Sequence, residues 1–247
     1  MTFWDHLEEL RGVLLRMTAA VVLAGVAAFF FKDQLFDVVL APKNSDFVTY
    51  RVFSLLAGGL EPFDVELINV NLAQQFMIHM KVALCAGGLL MSPYVIYLLF
   101  GFIAPALYSS ERRYATMAIA GGYLMFMVGV LFNYFILFPL TFRFLGTYQV
   151  DASVTNMISL ESYISTLMML CLVMGGMFEL PVVGWLLAKV HILKSEPMKR
   201  VRRYAIVAIL CIAAVITPTG DVFTLMLVSV PIYLLYELSI LMVKRVE

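Results

Sequence analysis

Charged positions are absent from this chain over long intervals. Across residues 13–31 the only charge is Arg16, near the start. Residues 82–110 and 114–142 carry none, and from 162 to 188 the only one is Glu179. A helix crosses the roughly 30 Å hydrocarbon core of a bilayer in about 20 mostly apolar residues, so each of these four stretches is long enough to span. Two shorter apolar runs follow. Residues 204–216 make about 20 Å of helix, and residues 222–236 about 22 Å before Glu237 intervenes. Between them lies TPTGD, residues 217–221, a Pro/Gly turn that does not continue a helix. The pattern predicts an all-α integral membrane protein with a single domain, 1–247, and six transmembrane helices. They fall at about 13–31, 77–103, 114–140, 162–187, 204–217 and 222–242, the last two forming a short hairpin. A re-entrant pair that does not cross is the rival reading of that hairpin.

Pro93, Pro139, Pro181 and Pro231 fall within the predicted spans. Each removes a backbone hydrogen bond and bends its helix, which favours a grooved or cupped bundle over a compact one. The largest segment outside the spans runs from about 32 to 75. Within it Phe47, Val48, Val52, Phe53, Leu55 and Leu56 recur at helical spacing, predicting a short amphipathic helix at the interface or capping the bundle. No internal repeat is visible.

Composition supports the membrane assignment. The chain is 62% hydrophobic and 14% charged, against roughly 25% charge in an average soluble domain. Its formal net charge of zero hides an asymmetry. With six spans, twelve Lys/Arg, among them Arg11, Arg112, Arg113 and the 199–203 cluster, lie on the side of the termini; Lys32, Lys43, Arg51 and Arg143 lie on the other. The positive-inside rule then puts both termini in the cytoplasm. The flank TFWDHLEELR is acidic and aromatic, unlike the basic start of a cleavable signal. Cys85, Cys171 and Cys211 fall in apolar spans and read as small buried side chains. His6, His79 and His191 are scattered and no HExxH occurs, so neither an enzyme nor a metal or cofactor site is expected.

The charges that remain need partners. Glu111 sits in a tight cytoplasmic turn, SSERR, where it either pairs with neighbouring arginines or receives a guanidinium from a ligand, the bidentate fit that a carboxylate favours. Asp5, Glu8 and Glu9 either favour the positive end of the first helix or join Glu111 in an anionic patch on the same face. Glu179 is alone in its span; such acids face a cavity or a partner, or bond internally to a polar group such as Asn133. Asp221 is an acid in an external turn, common after Gly.

Several of these residues stand in recognisable strings. HLEELR at 6–11, FIAPALYSSERR at 102–113, FELP at 178–181 and TPTGD at 217–221, with Pro42 in the first external loop, resemble the TatC family, the multi-spanning component of the twin-arginine protein translocase. The resemblance covers nearly the whole chain. It implies a glove-like fold in the bacterial inner membrane and a receptor for twin-arginine signal peptides, driving export of folded proteins with the proton-motive force. It implies the single-span partners TatA and TatB, and self-association in a larger complex. On the family pattern Glu9 and Glu111 receive the arginines, Arg11 and Phe102 shape that site, Glu179 is the polar group of the concave face, and Asp221 and Pro42 belong to a functional external end. Residues 69–84, NVNLAQQFMIHMKVAL, depart from the pattern, leaving Gln74, Gln75 and Lys81 unassigned. The alternative is a proton- or ion-coupled small-molecule transporter working at Glu179; transporters of that kind commonly carry repeats.

Overall fold

A computed structural model describes residues 3–57, 63, 65–103, 112–151, 153, 156–189, 191–217 and 221–246. The helices are α1 (Phe3–Phe29), α2 (Lys32–Leu40), α3 (Val48–Ala57), α4 (Gln74–Ile103), α5 (Arg112–Phe132), α6 (Phe138–Thr147), α7 (Leu160–Phe178), α8 (Leu180–Lys189), α9 (Ser195–Arg200), α10 (Arg202–Ile216) and α11 (Val222–Lys244). The expected all-α membrane architecture is the one observed. Among the described residues five helical stretches are long and apolar enough to cross a bilayer: Leu7–Phe29, Gln74–Phe102, Met117–Thr147, Leu160–Lys189 and Val222–Lys244. The sixth, α10, has 15 residues, about 22 Å of helix, as short as the sequence predicts.

Its partner α11 is not short. The helix runs through Glu237 for 23 residues because the acid is matched there: Arg202 donates to its Oε2 at 2.6 Å and the Tyr233 hydroxyl to its Oε1 at 3.0 Å. The closing hairpin is therefore asymmetric, one helix of 15 residues against one of 23.

The four prolines divide into two kinds. Pro93 and Pro231 lie inside continuous helices. Pro93 cannot donate to the Leu89 carbonyl, and the Ser92 hydroxyl takes over at 2.7 Å. Pro139 and Pro181 sit where helix geometry breaks. Between α5 and α6 the chain widens into a π-turn, Asn133–Leu137, and Pro139 leaves the Phe135 carbonyl without its usual donor. Thr49 of α3 donates to that carbonyl. The Tyr50 hydroxyl lies 3.1 Å from the Pro42 carbonyl and 3.0 Å from that of Pro139, giving its proton to one at a time. In lipid each such group must find an internal partner. The predicted amphipathic helix thus caps the bundle by filling bonds that a proline opened. Burial pushes the Tyr50 phenol upward in pKa, with the Arg143 charge pulling the other way.

The core runs along α7, where Ile164, Leu170 and Met174 are fully enclosed against Val130, Leu137, Ile232 and Val228. Asn133, also enclosed, donates to Cys171 Sγ at 3.0 Å and lies 3.4 Å from the Leu167 carbonyl. It is therefore occupied by α7 and is not the partner of Glu179. Of the cysteines, Cys171 is buried and Cys85 half-buried, but Cys211 is exposed on α10, since a single helix turned to lipid need not hide a small apolar side chain.

At the end of the bundle opposite the N-terminus, Leu67–Ile68 and Ile158–Ser159 pair as a two-residue parallel ladder. Beside it Glu161 receives Gln74 Nε2 and Lys81 Nζ, each at 3.1 Å. Gln74 Oε1 also accepts from the amides of Val70 and Asn71.

Candidate functional site

Glu179 occupies the joint between α7 and α8. Its amide turns back to the Gly176 carbonyl at 3.1 Å, its carbonyl accepts from Val183 at 2.9 Å, and Pro181 follows, unable to restore the ladder. The helix break therefore sets the acid's position. The residue is half-buried. Both carboxylate oxygens are covered, with no hydrogen-bond partner among the described residues. They lie over Gly122 of α5: a Cβ there would come within 3.0 Å of Glu179 Oε2 and 3.0 Å of Phe100 Cε2. Phe100, which meets the same position, belongs with Ile96 of α4, Ala118 of α5, and Val182 and Leu186 of α8 to a separate apolar cluster. An uncompensated carboxylate in such surroundings costs several kcal/mol, so the acid does not serve the stability of the bundle.

Helices α1 and α4 run antiparallel and cross where Gly25 meets Gly87. A Cβ on Gly87 would lie 2.4 Å from the Gly25 nitrogen, so the two backbones touch. Small residues at such crossings let membrane helices approach closely. Glu9 lies near the start of α1 and Phe102 near the end of α4, so the antiparallel pairing puts both toward the same end of the bundle. Glu9 is half-buried, its Oε2 covered and without a partner among the described residues. Phe102 is half-buried at the end of α4, and Arg11 is exposed. Glu111 lies outside the described residues, as does most of the loop that carries it.

The two external residues have local roles. Asp221 caps α11, its Oδ2 accepting from the Thr224 amide at 2.6 Å. Pro42 is buried in a 3-10 turn after α2, its carbonyl facing Tyr50. The structure thus places Glu9 and Phe102 toward one end of the bundle, and Glu179, Asp221 and Pro42 separately. Sequence reading missed Glu161: in a polar loop it looks like any solvated acid, and only the fold brings Gln74 and Lys81 to it. Among the described residues no three His, Cys, Asp or Glu side chains cluster as a metal site would require.

These features define a multi-pass α-helical membrane protein with two acids whose covered oxygens meet no donor among the described residues, one at the end of the bundle and one inside it. The family described as Sec-independent protein translocase protein (TatC) matches residues 5–231. The Sec-independent protein translocase protein TatC of Blattabacterium sp. subsp. Periplaneta americana is 34% identical over 250 residues, covering 97% of this chain and 94% of that protein. That of Aquifex aeolicus is 34% identical over 245 residues, covering 99% and 95%. A crystal structure of the twin arginine translocase receptor TatC superposes with a TM-score of 0.81 at 34% identity, covering 98% of this chain and 99% of that one. The chain belongs to the TatC family. It is a protein-translocase component and not an enzyme, and the small-molecule transporter alternative finds no support.

Proposed function

We propose that this chain is the signal-peptide receptor of a twin-arginine translocase in a bacterial inner membrane, with both termini in the cytoplasm and six spans close to 13–31, 77–103, 114–140, 162–187, 204–217 and 222–242. Its ligand is the paired-arginine segment of a folded cargo protein. Glu9 and Glu111 accept the two guanidinium groups, Phe102 and Arg11 flank them, and Glu179 meets the apolar part of the signal peptide or a partner helix deeper in the membrane. The proton-motive force drives passage of the cargo, TatA and TatB are the single-span partners, and several copies assemble.

One observation carries the reading: Glu9 Oε2 is covered and has no partner among the described residues. A covered carboxylate without a donor is costly, and a guanidinium supplies both charge and paired donors where an ammonium supplies a point charge. The test is binding of a fluorescent signal peptide to the purified protein in detergent, with Arg-Arg compared against Lys-Lys. The arginine peptide should bind at least about tenfold more tightly, the scale of one charge-assisted hydrogen bond. Glu111→Ala and Glu9→Ala should each remove most of that preference. Equal affinity for both peptides, or wild-type affinity in Glu111→Ala, would overturn the assignment.

A further inference from the structure

A second surface lies at the end of the bundle away from the N-terminus, apart from Glu9 and Phe102. Between α1 and α4 runs an apolar groove of about 570 Å³, lined by Val22, Val26, Phe30, Phe76, Met80 and Leu84 among others. These side chains are exposed, and so face lipid. At its upper end the groove meets a polar notch of about 450 Å³, lined by Lys32, Phe36, Gln75, Phe76, His79 and Leu160. Phe76 lines both.

The notch is lined by hydrogen-bond donors and by no acid. Lys32 and Gln75 are exposed. His79 is held rigidly, its ring stacked on Phe29 at 4.0 Å and met edge-on by Phe36 at 5.9 Å. It is 9% exposed, and its Nε2 is covered with no partner among the described residues. The adjacent acid, Glu161, is matched by Gln74 and Lys81, which leaves Lys32 uncompensated within the notch. A buried imidazole nitrogen is normally bonded, and an ammonium, an amide NH₂ and an imidazole N–H together suit a phosphate.

We infer that this surface binds a glycerophospholipid of the leaflet opposite the termini, with its phosphate in the notch at Lys32, Gln75 and His79 Nε2 and one acyl chain along the α1–α4 groove. Both volumes fall in the range of small-molecule sites, about 300–1,000 Å³. A partner transmembrane helix would cover the groove but, with its backbone bonds satisfied internally, would leave the donors unanswered. A phospholipid presents phosphate and chain in the order in which notch and groove occur.

Native mass spectrometry of the detergent-purified, delipidated protein tests this, titrated with dioleoylphosphatidylglycerol and with dioleoylglycerol, which has the same chains and no phosphate. The phospholipid should bind at least about tenfold more tightly than the diacylglycerol, the scale of one charge-assisted hydrogen bond. His79→Phe keeps the ring stack and removes the nitrogen; combined with Lys32→Ala it should erase the preference. Lys32→Glu, on an exposed side chain, should do so alone and guards against a folding defect in the double variant. Equal binding of the two lipids, or a Lys32→Glu protein that keeps the preference, would overturn the inference. Because its readout is lipid retention, the outcome is independent of signal-peptide binding.

Discussion

Gly87→Ala is expected to deprive the protein of its folded state, whereas Gly88→Ala is expected to be silent. A Cβ on Gly87 meets the Gly25 nitrogen at 2.4 Å, the Gly25 Cα at 2.7 Å and the Val21 carbonyl oxygen at 2.7 Å. All three are backbone atoms, so no side chain can rotate aside and α1 must part from α4. Overpacking typically costs about 1–3 kcal/mol, occasionally more, and with backbone as the only neighbour the upper end or beyond applies. A Cβ on Gly88 meets only Val21 Cγ1 at 3.9 Å, ordinary contact. Fluorescence-detected size exclusion and thermal unfolding in detergent measure both variants side by side. A monodisperse Gly87→Ala protein melting with the wild type would mean that the α1–α4 crossing is not the tight seam described here. Parting these helices would also shift Glu9 against Phe102 and open the lipid groove, so any folded remnant should lose both binding activities together.

What the sequence made legible was whatever a single helix decides. Four long apolar intervals, two free of charge and two with a single charged residue, became long helices because covering 30 Å with apolar side chains is a local property, and α10 is short because its apolar run is short. Glu237 shows the limit. Taken alone, it ends an apolar segment; with Arg202 and Tyr233 supplied by the fold it sits inside a continuous helix. The same holds for Thr49, an unremarkable residue of an amphipathic stretch until it meets the carbonyl that Pro139 freed far along the chain. Glu161 and Gln74 belong with them, since a hydrogen bond between residues distant in sequence leaves no periodicity. Of the candidate site, Glu9 and Glu179 stood out because an acid among apolar residues demands a reason. That reason could not be read from the chain, and the partner considered for Glu179, Asn133, turned out to be committed to Cys171 and α7.

Glu179→Leu should insert and fold at least as well as the wild type while export of a twin-arginine reporter falls by about tenfold or more. Both halves follow from one geometry. An ionised acid at mid-span costs on the order of 2.5–3.5 kcal/mol by insertion scales, and here neither oxygen recovers any of that through a hydrogen bond to the described residues. Leucine removes the cost and sits beside Phe100, which meets the same Gly122 position as the carboxylate. If the acid contributes nothing to the resting bundle, its contribution comes when something polar reaches it, and that step is what leucine abolishes. Gly122→Leu approaches the same space from α5. With 3.0 Å between its Cβ and Glu179 Oε2, the larger side chain displaces the carboxylate without altering it, and export should fall likewise. Glu179→Gln keeps the size and hydrogen-bonding capacity while removing charge, so it separates a need for polarity from a need for charge. Export assays in cells carrying only the variant, with melting temperatures of the purified proteins, decide the matter. A Glu179→Leu protein that melts well below the wild type would make the acid structural, and one that exports normally would remove it from the transport path. The expected pairing, stability kept and export lost, would mark the break between α7 and α8 as the device that holds a carboxyl group where a passing segment can find it.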